Sequence, residues 1–588
     1  FEEMELGSDG RLVRDGIELE LNAYCRRAVS KACELAAEHP GSTVTVMTLG
    51  PPSAEDALRE AIAWGLERDV EIEGVLITDP AFAGSDTLAT AKALAAALRH
   101  EGRRFDLILL GRNSLDADTG QVGPELAELL DLPFMTGVRY LALDGETLGV
   151  RCEHDDGWLE AELHLPAVLS CAERLCEPTK VDPEGRAAVP ASRIRRLRAA
   201  DLGPGPWGQA ASPTHVGAVR VLAHERDRVR WPEAPLAEQV RRAVAELRDR
   251  DALGSDAPSG ADLAPMPAGG RHTGPVVAVV VEAGREHLSS ELMATAALVA
   301  DSIDGRVVAL SVAGTEPAIL AAWGADEVVE LTNASVEEDV AAGLTGWAEE
   351  VAPWAIIAGS TAWGREVASR TAARLDAGLT GDAIDLEVSD GRLVAWKPAF
   401  GGQLVAAITA SSPVQMATVR AGMLKHLAPR ASTAAVSTRS VEPRERVRLL
   451  ARTRDDDIDT LAEAHAVVGV GVGVDPADYP ALDGLLTVLG AELGATRKVT
   501  DNGWLPRARQ IGITGRSIAP RLYVSIGASG KFNHAIGVRA AGTVLCINSN
   551  PDALMFDASD VGIVGDYREV VPLLLEELAA LAALATEH

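Results

Sequence analysis

Aromatic residues are scarce in this chain: Phe, Trp and Tyr make up 4% of its 588 residues, whereas hydrophobic residues make up 47%. The hydrophobic cores are therefore expected to be aliphatic, built mainly from Ala, Val and Leu. Long apolar runs are also missing, since none approaches the roughly 18 to 20 residues that span a bilayer. No signal peptide is visible, and we expect no membrane insertion. A chain of this length favours two to four domains.

Cysteine and positive charge are in short supply as well. The six cysteines show neither the spacing of a zinc site nor that of a CxxC redox pair, so they predict no metal centre. Reduced thiols in a cytoplasmic protein are the expectation. The formal net charge of −31 argues against nucleic-acid binding and against anionic membrane surfaces. The acidic surface could steer a basic partner, or it could serve solubility alone.

The first third of the chain alternates strand and helix patterns. Apolar runs at 44–50, 74–78 and 105–111 predict buried strands, and amphipathic segments between them predict helices. Such an order indicates a parallel sheet covered on both faces. Two alternating stretches, around 138–150 and 159–170, predict an antiparallel extension of that sheet.

From about Pro178 to Pro275 the composition changes to Pro, Gly, Arg and Ser, and we interpret 201–275 as an arm and linker. One amphipathic helix is predicted within it, near 236–248. The first pattern then recurs over 276–455, with the same order of strands, helices and alternating stretches at low identity. We therefore predict two related parallel-sheet α/β domains that pack as a pseudo-twofold pair.

A third α/β unit over 456–588 carries the stretch that dominates the sequence, Leu493 to Gly537. Seven glycines there surround a few polar residues, and glycine lets the main chain approach a phosphate or a ring closely. A buried strand at 521–527 runs into a Gly-Ser turn that should open a helix, a geometry that holds anions. A glycine-rich surface loop is the alternative interpretation.

This stretch, together with VLCINSNPDALMFDASDVGIVGD (544–566), resembles the FAD-binding domain of the electron transfer flavoprotein alpha subunit. The whole chain looks like the beta and alpha subunits of that family joined in one polypeptide, beta first. The resemblance implies an α/β pair over 1–200 and 276–455, an arm and linker over 201–275, and a Rossmann-like (DHS-like) FAD-binding domain over 456–588. The family's beta subunit opens with a strand and a Lys/Arg-Val-Pro-Asp turn, and neither occurs at the start of this sequence. Either that strand precedes Phe1 or the first sheet lacks it, and the second case would put part of the beta nucleotide pocket in doubt.

The resemblance also assigns FAD contacts, residue by residue. They are Gly471, Thr496, Arg497, Gln510, Gly512, Thr514, Gly527, Ser529, Gly530, Lys531, Asn533, His534, Asn548 and Asp560. Arg497 would stack over the isoalloxazine ring and, being always charged, favour anionic flavin and a higher potential; a surface salt bridge is the alternative. His534 would hydrogen-bond the flavin O2, and Thr514 would lie near N5.

The remaining assignments cover the other parts of the cofactor. Gln510 and Ser529 match contacts to the ribityl chain and pyrophosphate, Asn548 and Asp560 match contacts to the adenosine half, and Gly471 lies in the adenine-side loop. Three departures are visible: Ile513 and Asn533 stand where many members have Gln, and Lys531 replaces a small residue and could face phosphate. The loss of a polar contact at Ile513 could change the flavin potential.

A second nucleotide site is expected in the loop 111–125, which follows a strand and opens a helix. An acidic loop that only caps the helix is the alternative. In the family this loop holds AMP in one-flavin members and a second FAD in electron-bifurcating members, and both remain open here. The candidate contacts are Asn22, Gly111, Asp116, Asp118, Thr119, Gln121, Val122 and Gly123.

The function that the resemblance implies is electron transfer by FAD from a flavin-containing dehydrogenase to a downstream acceptor, for which a quinone oxidoreductase is a candidate. Leu175 resembles the recognition-loop Leu that inserts into partner dehydrogenases, although a buried Leu is the commoner fate. No nucleophile–base pair stands out, which favours a carrier over a stand-alone catalyst. The alternatives are a two-FAD bifurcating flavoprotein that oxidises NADH and, from another class, a nucleotide-binding sensor with a degenerate FAD domain.

Overall fold

The computed structural model describes residues 20–114, 118–155, 157–221, 226–253, 263–269, 273–312, 315–399, 404–454, 460–512 and 515–586. We name four parts of the chain: the first half (20–200), the connecting segment (201–275), the second half (276–454) and the third lobe (460–586). Among the described helices, none combines the length and apolarity needed to cross a membrane.

The first half contains five helices and eight strands among its described residues. The helices are α1 (Ala23–Glu38), α2 (Glu55–Leu66), α3 (Thr87–His100), α4 (Val122–Leu130) and α5 (Pro183–Ala188). The strands are β1 (Val44–Leu49), β2 (Ile72–Ile77), β3 (Leu107–Gly111), β4 (Phe134–Asp144), β5 (Thr147–His154), β6 (Gly157–His164), β7 (Ala167–Cys171) and β8 (Ile194–Leu197).

The connecting segment contributes β9 (Thr214–Val221), β10 (Val229–Arg230) and α6 (Leu236–Asp249). The second half then repeats the alternation. Its strands are β11 (Val276–Val281), β12 (Arg306–Val312), β13 (Glu327–Thr332), β14 (Ala355–Gly359), β15 (Gly378–Ala383), β16 (Asp385–Ser389), β17 (Arg392–Ala399), β18 (Leu404–Ala410), β19 (Gln415–Val419), β20 (Ala435–Ser440) and β21 (Val447–Arg454). Its helices are α7 (Glu286–Ser302), α8 (Pro317–Ala322), α9 (Glu337–Val351) and α10 (Ala362–Leu375).

The third lobe is a smaller α/β unit. Its strands are β22 (Ala466–Val470), β23 (Glu492–Ala495), β24 (Leu522–Ile526), β25 (Thr543–Asn548) and β26 (Val561–Val564), and its helices are α11 (Thr460–Glu463), α12 (Asp483–Leu489), α13 (Arg497–Asp501), α14 (Phe532–Ala535) and α15 (Tyr567–Thr586). The strands expected from apolar runs are all present within two residues of the predicted bounds. The mixed, parallel-rich α/β fold is confirmed.

The parallel core of the second half is complete, whereas that of the first half is divided. In the second half, β11 is buried along its whole length and pairs in parallel with β12 on one side and β14 on the other. In the first half, the strands that correspond to the two partners of β11 are β1 and β3. They belong to two separate sheets, β1-β2-β8 and β21-β6-β5-β4-β7-β3. Among the described residues no strand lies between them, and both stay mostly half-buried.

The two halves exchange strands reciprocally. β9, which follows the first half, pairs antiparallel with β18 of the second half. β21, at the end of the second half, pairs antiparallel with β6 of the first half. The helices α4 and α10 also pack against each other across the same interface. The pseudo-twofold pairing predicted from the repeat is therefore held by two interlocking ladders as well as by helix packing.

The composition of the connecting segment suggests a free linker, but part of the segment packs against the third lobe. β10 adds a parallel strand to the edge of the third-lobe sheet beside β26. The predicted amphipathic helix is α6, whose apolar positions Val240, Ala243, Val244 and Leu247 follow the i, i+3, i+4, i+7 spacing and are buried. That face packs on α15 and β26. The linker therefore carries a strand and a helix that complete the core of the third lobe.

Candidate functional site

The third-lobe sheet has the order β10-β26-β25-β24-β22-β23. From β22 the chain moves to β23 on one side, and it then crosses to β24 on the other side before it continues to β25 and β26. All five pairings are parallel. The strand order therefore reverses between β22 and β24, and in open α/β sheets ligands bind beside the carboxyl ends of the strands at such a switch point.

Glycines bring the backbone very close together at this edge. A Cβ on Gly471, just after β22, would lie 2.2 Å from the carbonyl oxygen of Gly527 after β24. Gly527 itself has a φ of +64°, a left-handed conformation that favours glycine. The Asn548 side chain, at the end of β25, donates from Nδ2 to the Ala528 carbonyl at 2.8 Å. Three of the predicted contacts, Gly471, Gly527 and Asn548, thus converge on the switch point, and a fourth, Ser529, is exposed beside them.

We expect Gly530→Ala to disrupt this edge of the lobe. Gly530 has a φ of +72°, and a Cβ there would lie 1.9 Å from the backbone nitrogen of Met555. The strand-to-helix turn would have to move, so we expect a loss of at least about 3 kcal/mol in unfolding free energy. Urea unfolding and nucleotide retention after gel filtration measure the two effects.

Gly391→Ala is the matched control for that experiment. Gly391 lies in the turn between β16 and β17, outside the third lobe; it has the same φ, +72°, but a Cβ there would meet nothing within 4 Å. We expect only the cost of left-handed backbone, about 1–2 kcal/mol, and full nucleotide retention. Equal losses in the two variants would show that the close contact with Met555 has no part in the effect.

A second group of predicted residues surrounds His534. A Cβ on Gly512 would lie 2.4 Å from the carbonyl of Asn533, so these two segments touch through their backbones. The His534 ring is buried; its Nδ1 lies 3.2 Å from the Ile511 carbonyl and its Nε2 lies 2.7 Å from the Tyr523 hydroxyl. Since a carbonyl only accepts, Nδ1 carries the hydrogen and Nε2 accepts from Tyr523. A bond from His534 to flavin O2 stays a prediction and would have to replace one of these.

Stability of the third lobe should fall in acid because of His534. Burial lowers its pKa to about 4, although the bond to the Ile511 carbonyl opposes this. The unfolded chain, with an ordinary pKa near ~6.5, then binds more protons between these two values, so acid favours unfolding. Between pH 7 and 4.5 we expect wild type to lose about 2–3 kcal/mol relative to His534→Gln. Hydrogen exchange of the β24 amides measures this; parallel pH curves for the two proteins would contradict it.

Arg497 begins α13, and Thr496 is the N-cap residue. The guanidinium is 40% exposed, with Nη2 3.3 Å from Glu173 Oε1 in the first half and Nε 3.2 Å from Asp501. Gln510 is buried nearby, its Oε1 2.7 Å from the Thr500 hydroxyl. The structure thus brings Thr496, Arg497 and Gln510 together where the third lobe faces the first half.

The facing surface of the first half centres on Glu173. Its Oε1 also accepts from the Tyr24 hydroxyl at 2.9 Å, and its Oε2 lies 3.8 Å from Arg507. Burial alone raises the pKa of Glu173, but Arg507 and Arg112 outweigh it and hold the pKa at about 2. Burial and then Glu173 raise the pKa of Tyr24 to about 12. This carboxylate is therefore a fixed negative charge next to Arg497.

A cavity of about 320 Å³ opens between these two surfaces. It is lined by Arg139, Glu153, Glu173, Arg174, Thr500, Asp501, Gly503, Trp504, Leu505, Pro506, Arg507 and Gln510. Its volume is at the lower end of ligand pockets. It therefore offers room next to Arg497 and Gln510 for part of a ligand whose remainder lies along the switch-point edge.

The other predicted FAD contacts do not all lie in these two groups. Lys531 and Asn533 are exposed at the switch-point turn, and Thr514 lies outside the described residues. Asp560 lies at the opposite, amino-terminal edge of the sheet, where its Oδ2 accepts from the Val544 amide at 2.8 Å and pairs with Arg226 at 2.7 Å. The structure does not bring it together with Asn548. The acidic residue that follows β26 at the ligand edge is Asp566, which the sequence analysis did not single out.

These residues fit an FAD. Left-handed glycines pack the strand ends so closely that only main chain fits between them, while Ser529, Lys531 and Asn533 stay exposed beside that main chain. A cation, Arg497, comes two residues after β23, at the same carboxyl edge of the sheet. Backbone amides and Ser529 suit a pyrophosphate, and Arg497 suits an electron-rich ring.

The expected second nucleotide site lies where the first and second halves meet. Asn22 donates from Nδ2 to the Asn113 carbonyl at 3.0 Å, and Asn113 donates to Asp118 at 2.6 Å. Gly111, after β3, is so close to α1 that a Cβ would lie 2.8 Å from the Cys25 amide. The structure thus joins Asn22 to the loop after β3; Asp116 lies outside the described residues.

The same loop meets β15 of the second half. A Cβ on Gly381 would lie 2.8 Å from Gln121 Nε2 and 3.0 Å from Thr119 Cγ2. Gln121, Thr119 and Gly123 are buried, and Val122 is half-buried at the start of α4. Gln121 Oε1 accepts from the Thr87 hydroxyl at 2.9 Å, which fixes the side chain.

Two buried donors in this region have no acceptor among the described residues: Gln121 Nε2 and Arg112 Nη1. Arg365 and Lys397 of the second half are half-buried beside Asp382, and both interact electrostatically with Asp118. Donors and cations around a loop at a helix start fit a phosphate group. The sequence analysis named the loop that contains Arg112 but not this cation, and it missed Arg365 and Lys397 because they come from the other half of the chain.

Leu175 lies half-buried after β7 and packs against the core formed by β4 to β7. Its neighbours reach the third lobe: Glu173 meets Arg497, and Arg174 donates to the Thr500 carbonyl at 3.2 Å. The predicted contact of Leu175 with a partner stays a prediction.

Comparison with known proteins follows this architecture. Residues 9–195 and 277–444 match the electron transfer flavoprotein domain, and residues 460–539 match the electron transfer flavoprotein FAD-binding domain. The domain found once in each half agrees with the repeat, and the FAD-binding match contains the switch point between β22 and β24. The third lobe is therefore an FAD-binding domain of this family.

Three relatives show which known proteins the parts of this chain are similar to. The electron transfer flavoprotein subunit alpha of Thermoanaerobacterium thermosaccharolyticum is 36% identical over 275 residues, 45% of this chain and 83% of its own. The caffeyl-CoA reductase-Etf complex subunit CarD of Acetobacterium woodii is 35% identical over 209 residues, 35% of this chain and 78% of its own. The electron transfer flavoprotein subunit beta of Clostridium acetobutylicum is 38% identical over 175 residues, 30% of this chain and 64% of its own. The chain belongs to the electron transfer flavoprotein family and combines beta-like and alpha-like parts in one polypeptide.

Proposed function

We propose that this protein carries electrons on an FAD held by the third lobe, from a flavin-containing dehydrogenase to a downstream acceptor such as a quinone oxidoreductase. The observation that supports it best is the switch point: Gly471, Gly527 and Gly530 shape a backbone cradle, and Arg497 stands beyond it. When bound, the FAD supplies one- and two-electron redox chemistry. The residues of the chain bind it, orient it and set its potential.

To deliver electrons, the flavin must be accessible to the partner protein. The contacts between the third lobe and the first half are of a kind that allows the third lobe to move. They are mainly polar: Arg497 with Glu173, Arg174 with the Thr500 carbonyl, and Arg516 with the Asp155 carbonyl at 3.3 Å. Polar contacts between domains favour relative motion, and half-exposed ion pairs add little stability. We propose that the lobe swivels, with the strand-exchanged halves as its fixed base.

The deciding experiment is extraction of the purified protein followed by nucleotide chromatography. We expect one FAD per third lobe and full loss of that FAD in Gly530→Ala. A colourless preparation that takes up no added FAD would overturn the proposal and favour the nucleotide-binding sensor. Reduction of the bound FAD by a flavin-containing dehydrogenase, followed in a stopped-flow spectrometer, tests the role as carrier.

The same extraction separates the two candidates for the second site. AMP there would indicate a simple carrier, while a second FAD would indicate a bifurcating flavoprotein that oxidises NADH. The second candidate is favoured by the unpaired Gln121 donor and by the cations Arg112, Arg365 and Lys397, which suit a ligand with several phosphates. Gln121→Glu places a carboxylate at that donor, and we expect it to reduce occupancy of the second site without loss of the third-lobe FAD.

A further inference from the structure

Two histidines and a glutamate converge in the second half, away from both nucleotide sites. His287 and Glu291 lie one turn apart on α7, and His426 comes from the loop after β19. The three donor atoms are His287 Nε2, His426 Nε2 and Glu291 Oε1. They are separated by 3.0 Å between the two nitrogens and by 3.3 and 3.2 Å from each nitrogen to the carboxylate oxygen.

These separations match the edge of a metal coordination sphere. Ligands about 2.0–2.1 Å from a tetrahedral zinc ion lie about 3.3 Å from one another. Two imidazole nitrogens and one carboxylate oxygen are also the donor set of a three-ligand zinc site with an open fourth position. The geometry therefore suits a divalent cation without rearrangement of the backbone.

Neighbouring groups already hold the ligands in the required state. The Ser290 hydroxyl donates to the His287 carbonyl at 2.8 Å, and its oxygen lies 3.2 Å from His426 Nδ1. Since the single hydroxyl hydrogen is used, Ser290 accepts from Nδ1–H of His426. A neutral His426 then presents the lone pair of Nε2 to the Glu291 carboxylate, an arrangement that a bound cation stabilises and that is repulsive without a cation or a proton.

The glutamate is fixed just as firmly. Its side chain is 1% exposed, and the Gly422 amide donates to its two oxygens at 3.1 and 2.9 Å. The imidazoles are 29% and 31% exposed, so an ion can enter from solvent. Leu424 and Leu427, on either side of the loop position 426, are buried in the core with Leu288 and Leu292. The ligands are thus anchored on a rigid frame with one accessible side.

We propose that His287, Glu291 and His426 form a binding site for a divalent transition metal ion of the zinc class. The site is independent of the flavin proposal. It has a structural consequence, because a Cβ on Gly422 would lie 2.3 Å from the Ser517 carbonyl of the third lobe. The loop that the metal would hold is therefore one on which the third lobe rests.

The test uses the full chain with its nucleotides, freed of metal by dialysis against a chelator and then titrated with Zn²⁺ or Co²⁺. We expect one Co²⁺ per chain with the visible absorption of a four-coordinate site, and a melting temperature that rises with Zn²⁺ concentration. His426→Gln should weaken Zn²⁺ binding by more than about 100-fold, and Ser290→Ala by about tenfold, because it loses only the orienting bond.

His164→Gln is the matched control, since His164 is an exposed histidine whose Nδ1 lies 3.3 Å from the Thr147 hydroxyl, away from the three proposed ligands. We expect it to bind Zn²⁺ like the wild type. Circular dichroism and FAD content verify that each variant is folded. Zn²⁺ affinity that is the same in wild type and His426→Gln, or a Co²⁺ spectrum typical of six-coordinate aqueous ion, would overturn the proposal.

Discussion

Replacing Arg497 with Ala is expected to make the potential of the bound flavin more negative by about 60 mV or more. A full charge next to the ring favours its anionic forms, and loss of about 1.4 kcal/mol of that interaction corresponds to about 59 mV for one electron. The estimate is modest because the guanidinium is 40% exposed and also pairs with Glu173 and Asp501. An anaerobic redox titration with an indicator dye measures it.

Glu173→Gln supplies a control of opposite sign. It removes the carboxylate 3.3 Å from Arg497, so the guanidinium acts on the flavin without that counter-charge, and the potential should rise. Arg509→Ala removes a guanidinium that pairs with Glu492 at 2.7 Å in the same lobe and should leave the potential unchanged. If the Arg497 and Glu173 variants titrate like the wild type, Arg497 has no role in setting the potential.

Replacing Arg370 with Met is expected to cause the largest loss of stability in the strand-exchanged pair. Arg370 is fully buried on α10, donates to Glu128 of α4 at 2.9 Å and donates to Glu366 at 3.1 Å. Removing it leaves Glu366, also buried, without that ion pair. Breaking a buried ion pair costs about 3–5 kcal/mol, because a charge remains in an apolar place. Urea unfolding followed by circular dichroism measures the change.

Two further variants define the cause. Arg370→Met with Glu366→Met removes both charges and should recover part of the loss, since an apolar pair can replace a buried ion pair. Arg439→Ala breaks an exposed pair with Glu350 and should leave the unfolding midpoint unchanged. If the double variant were less stable than Arg370→Met alone, an unpaired charge would not explain the effect.

The sequence predicted most of the parallel strands because each is a local apolar run, as in β11 (VVAVVV) or β24. It did not predict where β9, β10 and β21 pair, because nothing within a strand specifies a partner hundreds of residues away. β23, only four residues long, gave too short a pattern to recognise.

The candidate site was also only partly predictable from the sequence. Gly471, Gly527 and Asn548 could be found because they lie in one family motif at neighbouring strand ends. Glu173, which meets Arg497, comes from the first half and carries no motif. Arg365 and Lys397 of the second half likewise become neighbours of Asp118 only through packing of the two halves.

The exchange of β9 and β21 has a consequence for how the protein is made. On a ribosome, the edge of β6 stays open until β21 emerges, and Glu162 and Arg448, which pair across that ladder, are 286 residues apart in sequence. A translation product that stops in the connecting segment would expose a bare strand to other nascent chains. Because both parts are encoded in one message, every β6 edge is made together with the β21 that covers it, in equal amount and on the same chain.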